Sequence, residues 1–570
     1  MSAPAPVPMY VGGHDSLGAL LTDALLTHPA REVLIEARRK REVARYTAGE
    51  VLTLARRLGA SLQELGVGPG KRVAILMSNQ ARWPITALAV FLAGGTLVPL
   101  DYKLSGEEQR ALLAHSHADV VVLEHGEWRK HPDGVTGPQV VLSEAPAGEE
   151  GSWFRWEDLA ASGAPHELVE HAVGRDDLAC IVYSSGTGGR PKGCMLPHRA
   201  YLSQLAALLE RFPMAEGDRT FSILPSNHAI DFMVGFVGPF VCGATVVHQR
   251  SLRPELLLWT MRRYGITHMA VVPLILTAFE RAIRERLDSA NGWRRAAFSG
   301  LSLANAALTD RRPHHALSRR LLAPVHDAFG GKLRLLFCGG AFTDRSQAEF
   351  FYKLGIPVVI GYGLTEACTV VSVHGLEPFR ADGVGRPVSG TEVRIDAPDE
   401  EGVGEVCVRG DTLMLGYLDD PSQTAEVLRD GWLHTGDLGY LDASAHLHLV
   451  GRRKDVIVTP GGKNIYPEDV EHAFREVDAD ELVVFAANTL WPRRELGADR
   501  LVLVVRSDTP DDTLSTALKQ ANRRLADFRR VSSWLRWTED FPRTASMKVK
   551  RPLLAAAIGE ATTEEDLRPL

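Results

Sequence analysis

A chain of 570 residues is too long for one hydrophobic core and implies roughly three or four domain-sized units. Apolar residues make up 45% and charged residues 24% of it, ordinary values for a globular protein. With 64 Lys and Arg against 71 Asp and Glu, the net charge of −7 argues against a dedicated nucleic-acid binder.

At the N-terminus, "MSAPAPVPMYVGG" has no basic stretch leading into an apolar run, so no export signal is visible and a cytoplasmic protein is expected. "EARRKRE" (36–42) lies between two strand-like runs and reads as an exposed hairpin. The next element, "TAGEVLTLARRLGASLQELG", opens with Thr47 as N-cap and Glu50 three residues on, a capping box. Val51, Ala55, Leu58, Leu62 and Leu65 then recur at helical spacing until Gly66 ends the helix.

Beyond it, "RVAILMSN" (72–79) predicts a buried strand, "WPITALAVFLAGG" a helix and "TLVPLD" another strand. The apolar stretch 232–247 is short for a membrane span and carries glycines and a proline; it reads as buried helix plus strand. "GITHMAVVP" and "LRLLFCGGA" are apolar strands ending in loops. Between Arg281 and Arg334 there are 11 Lys and Arg against 4 Asp and Glu. Solvated helical faces account for that most simply; a basic surface meeting an anionic membrane or a phosphorylated cofactor is the alternative.

From about residue 405 the texture turns β-rich, and after about 453 an amphipathic helix, two apolar strands and a second helix suit a small α+β domain. The alternation before that point argues for an α/β fold with largely parallel sheets, whose ligand loops gather at the carboxyl ends of strands. The six cysteines are far apart with no CxxC pair, which fits reduced thiols rather than a disulfide or zinc framework.

One loop carries chemistry. "YSSGTGGRPKG" (183–193) follows the apolar run "LACIV" and packs glycines, hydroxyls, an arginine and a lysine together. Converging backbone N–H groups with hydroxyl and lysine donors suit an anion, most often phosphate. It is not the G-x-x-x-x-G-K-S/T loop, because the residue after Gly193 is Cys194 and not a lysine. Neither "GYGLTE" (361–366) nor "GVGPGK" (66–71) completes a dinucleotide fingerprint.

The loop resembles the Y-T-S-G-T-T-G-x-P-K-G signature of the AMP-forming adenylating superfamily: acyl-CoA synthetases, adenylation domains and luciferases. "GYGLTEA" (361–367), "LHTGDLGYLD" (433–442), "GRRKDVIVTPGGKNIYPEDVE" (451–471) and "PRTASMKVKR" (542–551) are similar to that family's further motifs, in its order. Together they span about two-thirds of the chain. The resemblance implies a large N-terminal domain (1–452) of stacked α/β sheets plus a distorted β-barrel subdomain. A small mobile α+β domain (453–570) would follow, with its hinge at Lys454.

It also implies that a carboxylic acid attacks the α-phosphate of ATP, expelling pyrophosphate, and that the thiol of CoA then displaces AMP. Ser184, Ser185, Gly186, Thr187, Gly188 and Gly189 would wrap the phosphates, with Lys192 nearby. Thr365 and Glu366 belong to the motif that helps hold Mg2+. Gly361, Tyr362, Gly363 and Leu364 would meet the adenine, as would Gly339, Gly340 and Ala341. Asp437 would accept from the ribose hydroxyls with Arg452 assisting. Lys548 is the expected adenylation lysine, and Gly461, Gly462 and Lys463 would line the CoA channel.

For the acid, "LPSNHAIDFMVGF" is similar to a segment of long-chain acyl-CoA synthetases. The resemblance implies that His228 would flank the acyl entrance and that Ile230, Asp231, Val234 and Gly235 would line the acyl pocket. The expectation is a medium- or long-chain fatty acid. A ligase that loads a separate acyl carrier protein, or an aryl- or amino-acid adenylating enzyme, is the nearest alternative. Gly188 stands where the family has Thr, and Met547 where it has Gly before the lysine. These two departures motivate a further alternative, a catalytically silent nucleotide-binding protein.

Overall fold

The computed structural model describes residues 11–149, 151–162, 168–184, 192–310, 312–340, 343–458, 464–491, 500–543 and 549–570. The chain forms two compact units, Met1–Glu392 with Val408–Leu433, and Val393–Cys407 with His434–Leu570. The expected hinge residue Lys454 lies inside the second unit.

Two large sheets carry the first unit. In one, six parallel strands run in the order Val358–Tyr362, Leu335–Cys338, His268–Val271, Arg219–Ser222, Thr245–Gln249 and Glu32–Arg38. Its edge is closed by the antiparallel strand Arg41–Thr47, so the expected hairpin forms and turns at Arg39 with φ 56°, but Glu36 and Ala37 are buried in its first strand rather than exposed. In the other, Leu178–Ser184, Thr96–Pro99, Arg72–Leu76, Val120–Glu124, Gln139–Ser143 and Phe154–Arg155 are parallel. Lys192–Pro197 joins it antiparallel. The central strands read as continuous apolar runs because helices cover both faces.

The helix Ala48–Glu64 begins with the expected capping box between Thr47 and Glu50. Arg82–Leu92 is apolar nearly all round and buried along its length, as a helix between sheets must be. Its Trp83 meets Phe232 and Phe236 edge-on, each at 6.1 Å between ring centres. Stretch 232–247 is thus helical turns followed by the buried strand Thr245–Gln249.

A buried charge network ties the two sheets at their carboxyl ends. Arg250, just past Thr245–Gln249, lies 3.1 Å from Glu36, 3.5 Å from Glu124 and 2.7 Å from Glu144. Glu36 belongs to the first sheet, whereas Glu124 ends a strand of the second. Despite its burial, the Arg250 guanidinium is held charged by the three carboxylates around it.

In the second unit the β-rich region includes residues 404–407 and 434–441 and the strand Leu447–Arg452, all members of a five-stranded sheet. The C-terminal part is a four-stranded mixed sheet, Glu481–Ala486, Leu501–Arg506, Ser533–Arg536 and Arg568–Pro569. Side chains alternate across it. Leu501, Leu503 and Val505 pack under the helices Pro467–Ala473 and Asp511–Asn522. Val502 and Val504 pack under Arg551–Ala561 on the opposite face. The amphipathic helix read in "YPEDVEHAFREV" (466–477) is shorter than its apolar pattern: it stops at Ala473, and Phe474 and Val477 fill the core from the following turns.

Candidate active site

Ser184 closes a parallel strand and Lys192 opens the antiparallel one beside it, and the two are cross-strand partners. The glycine loop is therefore clamped at both ends whatever path it takes. Residues 185–189 of the expected cradle lie outside the described residues, as do Ala341, Gly461, Gly462, Lys463, Met547 and Lys548.

Around the base of that loop three side chains meet. Glu366 stands in the single turn Thr365–Ala367 just beyond the strand Val358–Tyr362. Its Oε1 accepts from the hydroxyl of Tyr417 at 2.9 Å, and its backbone carbonyl accepts from Met414 N–H at 2.9 Å. The Lys192 ammonium lies 5.1 Å from the centre of the Tyr417 ring, within cation–π range. Tyr417 is held because Gly416–Tyr417 pairs with Met195 and Cys194, next to Lys192. Burial and the Glu366 carboxylate push the Tyr417 hydroxyl far above its ordinary range, so it is a donor at any physiological pH. The cluster thus presents a carboxylate and an ammonium beside the phosphate-type loop. A hard carboxylate oxygen fixed by one donor is a suitable ligand for Mg2+.

The turn that delivers Glu366 is tight. At Gly363 a side chain would collide with the carbonyl of Thr369, because the chain doubles back to place Val371 N–H on Tyr362 O at 2.8 Å. Cys368 and Thr369 close that turn at φ 55° and 114°, conformations costly for residues other than glycine. Tyr362 itself is buried, and Gly361 sits in the strand opposite Val373.

Gly339 follows the strand Leu335–Cys338, and an added Cβ there would touch Ile230 Cδ1 at 3.3 Å. The next residue, Gly340, adopts φ 83°. The glycines expected to meet the adenine and the segment expected to bind the acid are thus neighbours. Within that segment the four expected pocket residues separate onto two faces. Ile230 and Val234 are half-buried and pack with Leu224, Ala270 and Val272, an apolar wall.

Asp231 and Gly235 face the interior instead. Asp231 Oδ2 accepts from Ser222 Oγ at 2.7 Å and Ser226 Oγ at 3.1 Å. Gly235 is small because a Cβ would stand 2.7 Å from Asp231 Oδ1. Burial pushes the Asp231 carboxyl up to about 7, against the pull of the two serines. His228 caps this helix through its backbone position, and burial lowers its imidazole below the ordinary value, favouring the neutral ring.

In the second unit, Asp437 and Arg452 are cross-strand partners, with Arg452 Nε 2.8 Å from Asp437 Oδ1. A knot of side chains shapes the turn before Asp437. Glu405 Oε1 accepts from Gly436 N–H at 3.0 Å, and its Oε2 meets His434 Nδ1 at 3.0 Å and Arg453 Nη2 at 2.9 Å. Thr435 Oγ1 donates to Val406 O at 2.7 Å and accepts from Asp437 N–H at 3.0 Å. Asp396, Glu405, Cys407 and His434 offer ligand atoms within 4.8 Å of one another. The Arg453 guanidinium already neutralises Glu405 there, so the group reads as a charge knot that sets the turn. Lys454 lies in the single turn Arg453–Asp455 that follows Arg452.

Tyr417 and Glu405 escaped the sequence reading. Tyr417 is 51 residues from Glu366, and no spacing rule connects them. Glu405 sits in the "GEVCVRG" strand, where it reads as an ordinary alternating polar position.

Residues 21–418 match the family of AMP-binding enzymes. Feruloyl-CoA synthase of Amycolatopsis is 30% identical over 515 residues, covering 88% of this chain and 92% of that protein. Long-chain-fatty-acid–CoA ligase FadD15 of Mycobacterium tuberculosis is 27% identical, covering 96% of this chain and 97% of its own length. The anthranilate CoA ligase AuaEII, solved in complex with anthranoyl-AMP, superposes with a TM-score of 0.77 at 20% identity, covering 97% of this chain and 99% of that one. Fold, motif order and relatives agree: the chain belongs to the AMP-binding enzyme family and is an adenylate-forming acid–thiol ligase.

Proposed function

We propose that the protein activates a medium- or long-chain fatty acid as its acyl-adenylate and passes the acyl group to CoA. The observation that carries this reading is the apolar wall of Ile230 and Val234 with Leu224, Ala270 and Val272, adjoining Gly339 on the nucleotide side. The similarity to FadD15 along almost the whole of both chains supports it.

In the first half-reaction a carboxylate oxygen of the acid attacks the α-phosphorus of ATP and the bond to the β-phosphate oxygen breaks, releasing pyrophosphate. Charge gathers on the phosphates, so fixed donors and cations do most of the work. The loop clamped between Ser184 and Lys192 would cradle the leaving phosphates, with the Lys192 ammonium beside it. Glu366, oriented by Tyr417, would hold Mg2+, which when bound neutralises phosphate charge. Asp437, an acceptor-only group when ionised, would take the ribose hydroxyls with Arg452 alongside. Lys548 would reach the junction of acid and α-phosphate, carried there by movement of residues 453–570 about Lys454.

In the second half-reaction the CoA sulfur attacks the acyl carbonyl carbon and AMP leaves as a phosphate monoester. Gly461, Gly462 and Lys463 would line the thiol's approach. All six cysteines are buried and free, which supports a cytoplasmic site of action. The 30% identity to feruloyl-CoA synthase favours one second reading, an aryl acid as substrate.

Incubation with ATP, Mg2+, CoA and either a fatty acid or ferulate separates them. Release of AMP in step with a fatty acyl thioester is the expected result. Turnover of ferulate alone would replace the fatty-acid reading with the aryl one. Adenylate that builds up until an acyl carrier protein discharges it would replace CoA as the acceptor.

A further inference from the structure

The helix Gly292–Leu308 is amphipathic the wrong way round for a helix whose only partner is the protein beneath it. A helix repeats every 3.6 residues, so Phe298, Ser302 and Asn305 share one face. That face is turned inward: Phe298 packs on the core of the first sheet, and Asn305 Nδ2 donates to Lys353 O at 3.1 Å. The opposite face carries Trp293, Ala297, Gly300, Leu303, Ala304 and Leu308, all exposed. Trp293 is 68% exposed, and Leu303 and Leu308 are each 65% exposed. From Ala296 to Leu308 there is no charged residue. Single exposed leucines are ordinary, but a seventeen-residue helix that after Arg295 exposes only one polar side chain, Ser299, among its apolar ones is a surface that something covers.

The rim of this face indicates what covers it. Arg294 and Arg295 flank its N-terminal end, and the Arg294 guanidinium lies 5.3 Å from the Trp293 ring centre. The preceding helix Pro273–Asp288 adds Arg281, Arg284 and Arg286. Its acidic groups are Glu280, Glu285 and Asp288; Glu285 pairs with Arg281 at 3.0 Å and Glu280 with Arg284 at 2.6 Å. That helix is therefore neutral overall, and the positive excess at the apolar face is the pair Arg294 and Arg295, within a chain whose net charge is −7. An apolar stripe with Trp at its end and arginines at its margin matches the interface of an anionic bilayer, where the ring sits at headgroup depth and guanidinium groups meet lipid phosphates. No helix among the described residues is long and apolar enough to cross a membrane, so this face would lie on the surface.

We propose that the outward face of Gly292–Leu308, rimmed by Arg294 and Arg295, is a docking surface for an anionic lipid bilayer. This goes beyond the acid-activating site and does not rest on which acid is activated.

Co-sedimentation of the full chain with vesicles tests it. One set is pure phosphatidylcholine, the other phosphatidylcholine mixed with phosphatidylglycerol, each at low and high salt. The chain should sediment with the phosphatidylglycerol vesicles, and high salt should weaken that binding roughly tenfold. Trp293→Ser combined with Leu303→Ser and Leu308→Ser should weaken it at least about tenfold, given the apolar area removed. These positions touch nothing in the catalytic machinery, so ATP–pyrophosphate exchange should be unchanged and reports that the variant is folded. Arg294→Gln with Arg295→Gln should lower binding only to the anionic vesicles.

A chain that stays in the supernatant with both vesicle sets overturns the proposal, and so does undiminished binding by the apolar triple variant. So does a dimer on size-exclusion chromatography that the triple variant disperses without any vesicle binding, which would assign the face to a second copy.

Discussion

Tyr417→Phe isolates the link on which the geometry of Glu366 depends. The substitution deletes one hydroxyl whose oxygen lies 2.9 Å from Glu366 Oε1, and keeps the ring that faces Lys192 at 5.1 Å. A hydrogen bond to a charged acceptor is worth about 1.5–3 kcal/mol. Water can replace part of that at a site open to nucleotide, so the lower end applies, roughly tenfold in a binding constant. If Tyr417 orients Glu366 toward Mg2+ and the phosphates, the Mg2+ concentration giving half-maximal ATP–pyrophosphate exchange should rise about tenfold. Exchange at saturating Mg2+ should fall much less. The assay is a Mg2+ titration of acid-dependent exchange in wild type and variant. Superimposable titrations would refute the reasoning, because Glu366 would then need no orienting partner. An equal loss at every Mg2+ concentration would also refute it, pointing to a damaged fold rather than a displaced carboxylate.

Arg250→Met should destabilise the first unit by about 3–5 kcal/mol, since it leaves Glu36 and Glu124 without their cation and Glu144 with only the more distant Arg38 and Arg82. Urea unfolding should show the loss shrinking at acid pH, where Glu144, held below its ordinary value by Arg250 against the upward push of burial, takes up a proton. Asp231→Asn should stabilise the protein in a pH-dependent way. With a native value near 7 against 3.8 when unfolded, Asp231 costs stability increasingly as pH rises between those values, and the cost levels off above. The variant should therefore gain little at pH near 4 and up to about 4 kcal/mol near pH 8, read from thermal or urea midpoints. A constant difference across that range would contradict the neutral buried acid. Lys548→Ala should lower pyrophosphate exchange by about 10²–10³ while thioester formation from supplied acyl-adenylate stays nearly intact. Equal loss of both half-reactions would remove the argument for a moving C-terminal segment.

The sequence made the parallel strands, the capping box and the hairpin tip readable because each follows from local pattern or cap chemistry. Ser184, Lys192, Glu366, Asp437 and Arg452 are singled out by resemblance to family motifs instead; the structure puts Ser184, Lys192 and Arg452 at strand ends, Glu366 in a turn beyond one and Asp437 inside one. What stayed hidden was long-range. Tyr417 meets Glu366 only because a two-residue strand docks beside Cys194. Glu405 shapes the turn before Asp437 from a neighbouring strand. Asp231 and Val234 are close in sequence, and only the placement of Ser222 and Ser226 reveals that the first turns inward while the second does not. The arginine-rich region read as solvated helical faces on charge alone. Counting charge could not reveal that Gly292–Leu308 points its apolar stripe outward, since that depends on which face Phe298 and Asn305 dock.

The account rests on activation of a carboxylic acid through its adenylate, and acid-dependent exchange of labelled pyrophosphate into ATP measures that step alone, without CoA. Exchange that requires both Mg2+ and acid, and that is fastest with medium- or long-chain fatty acids, is the result the account predicts. No exchange with any fatty, aryl or amino acid, from a folded chain that still binds ATP, would contradict it and leave a silent nucleotide-binding protein in its place.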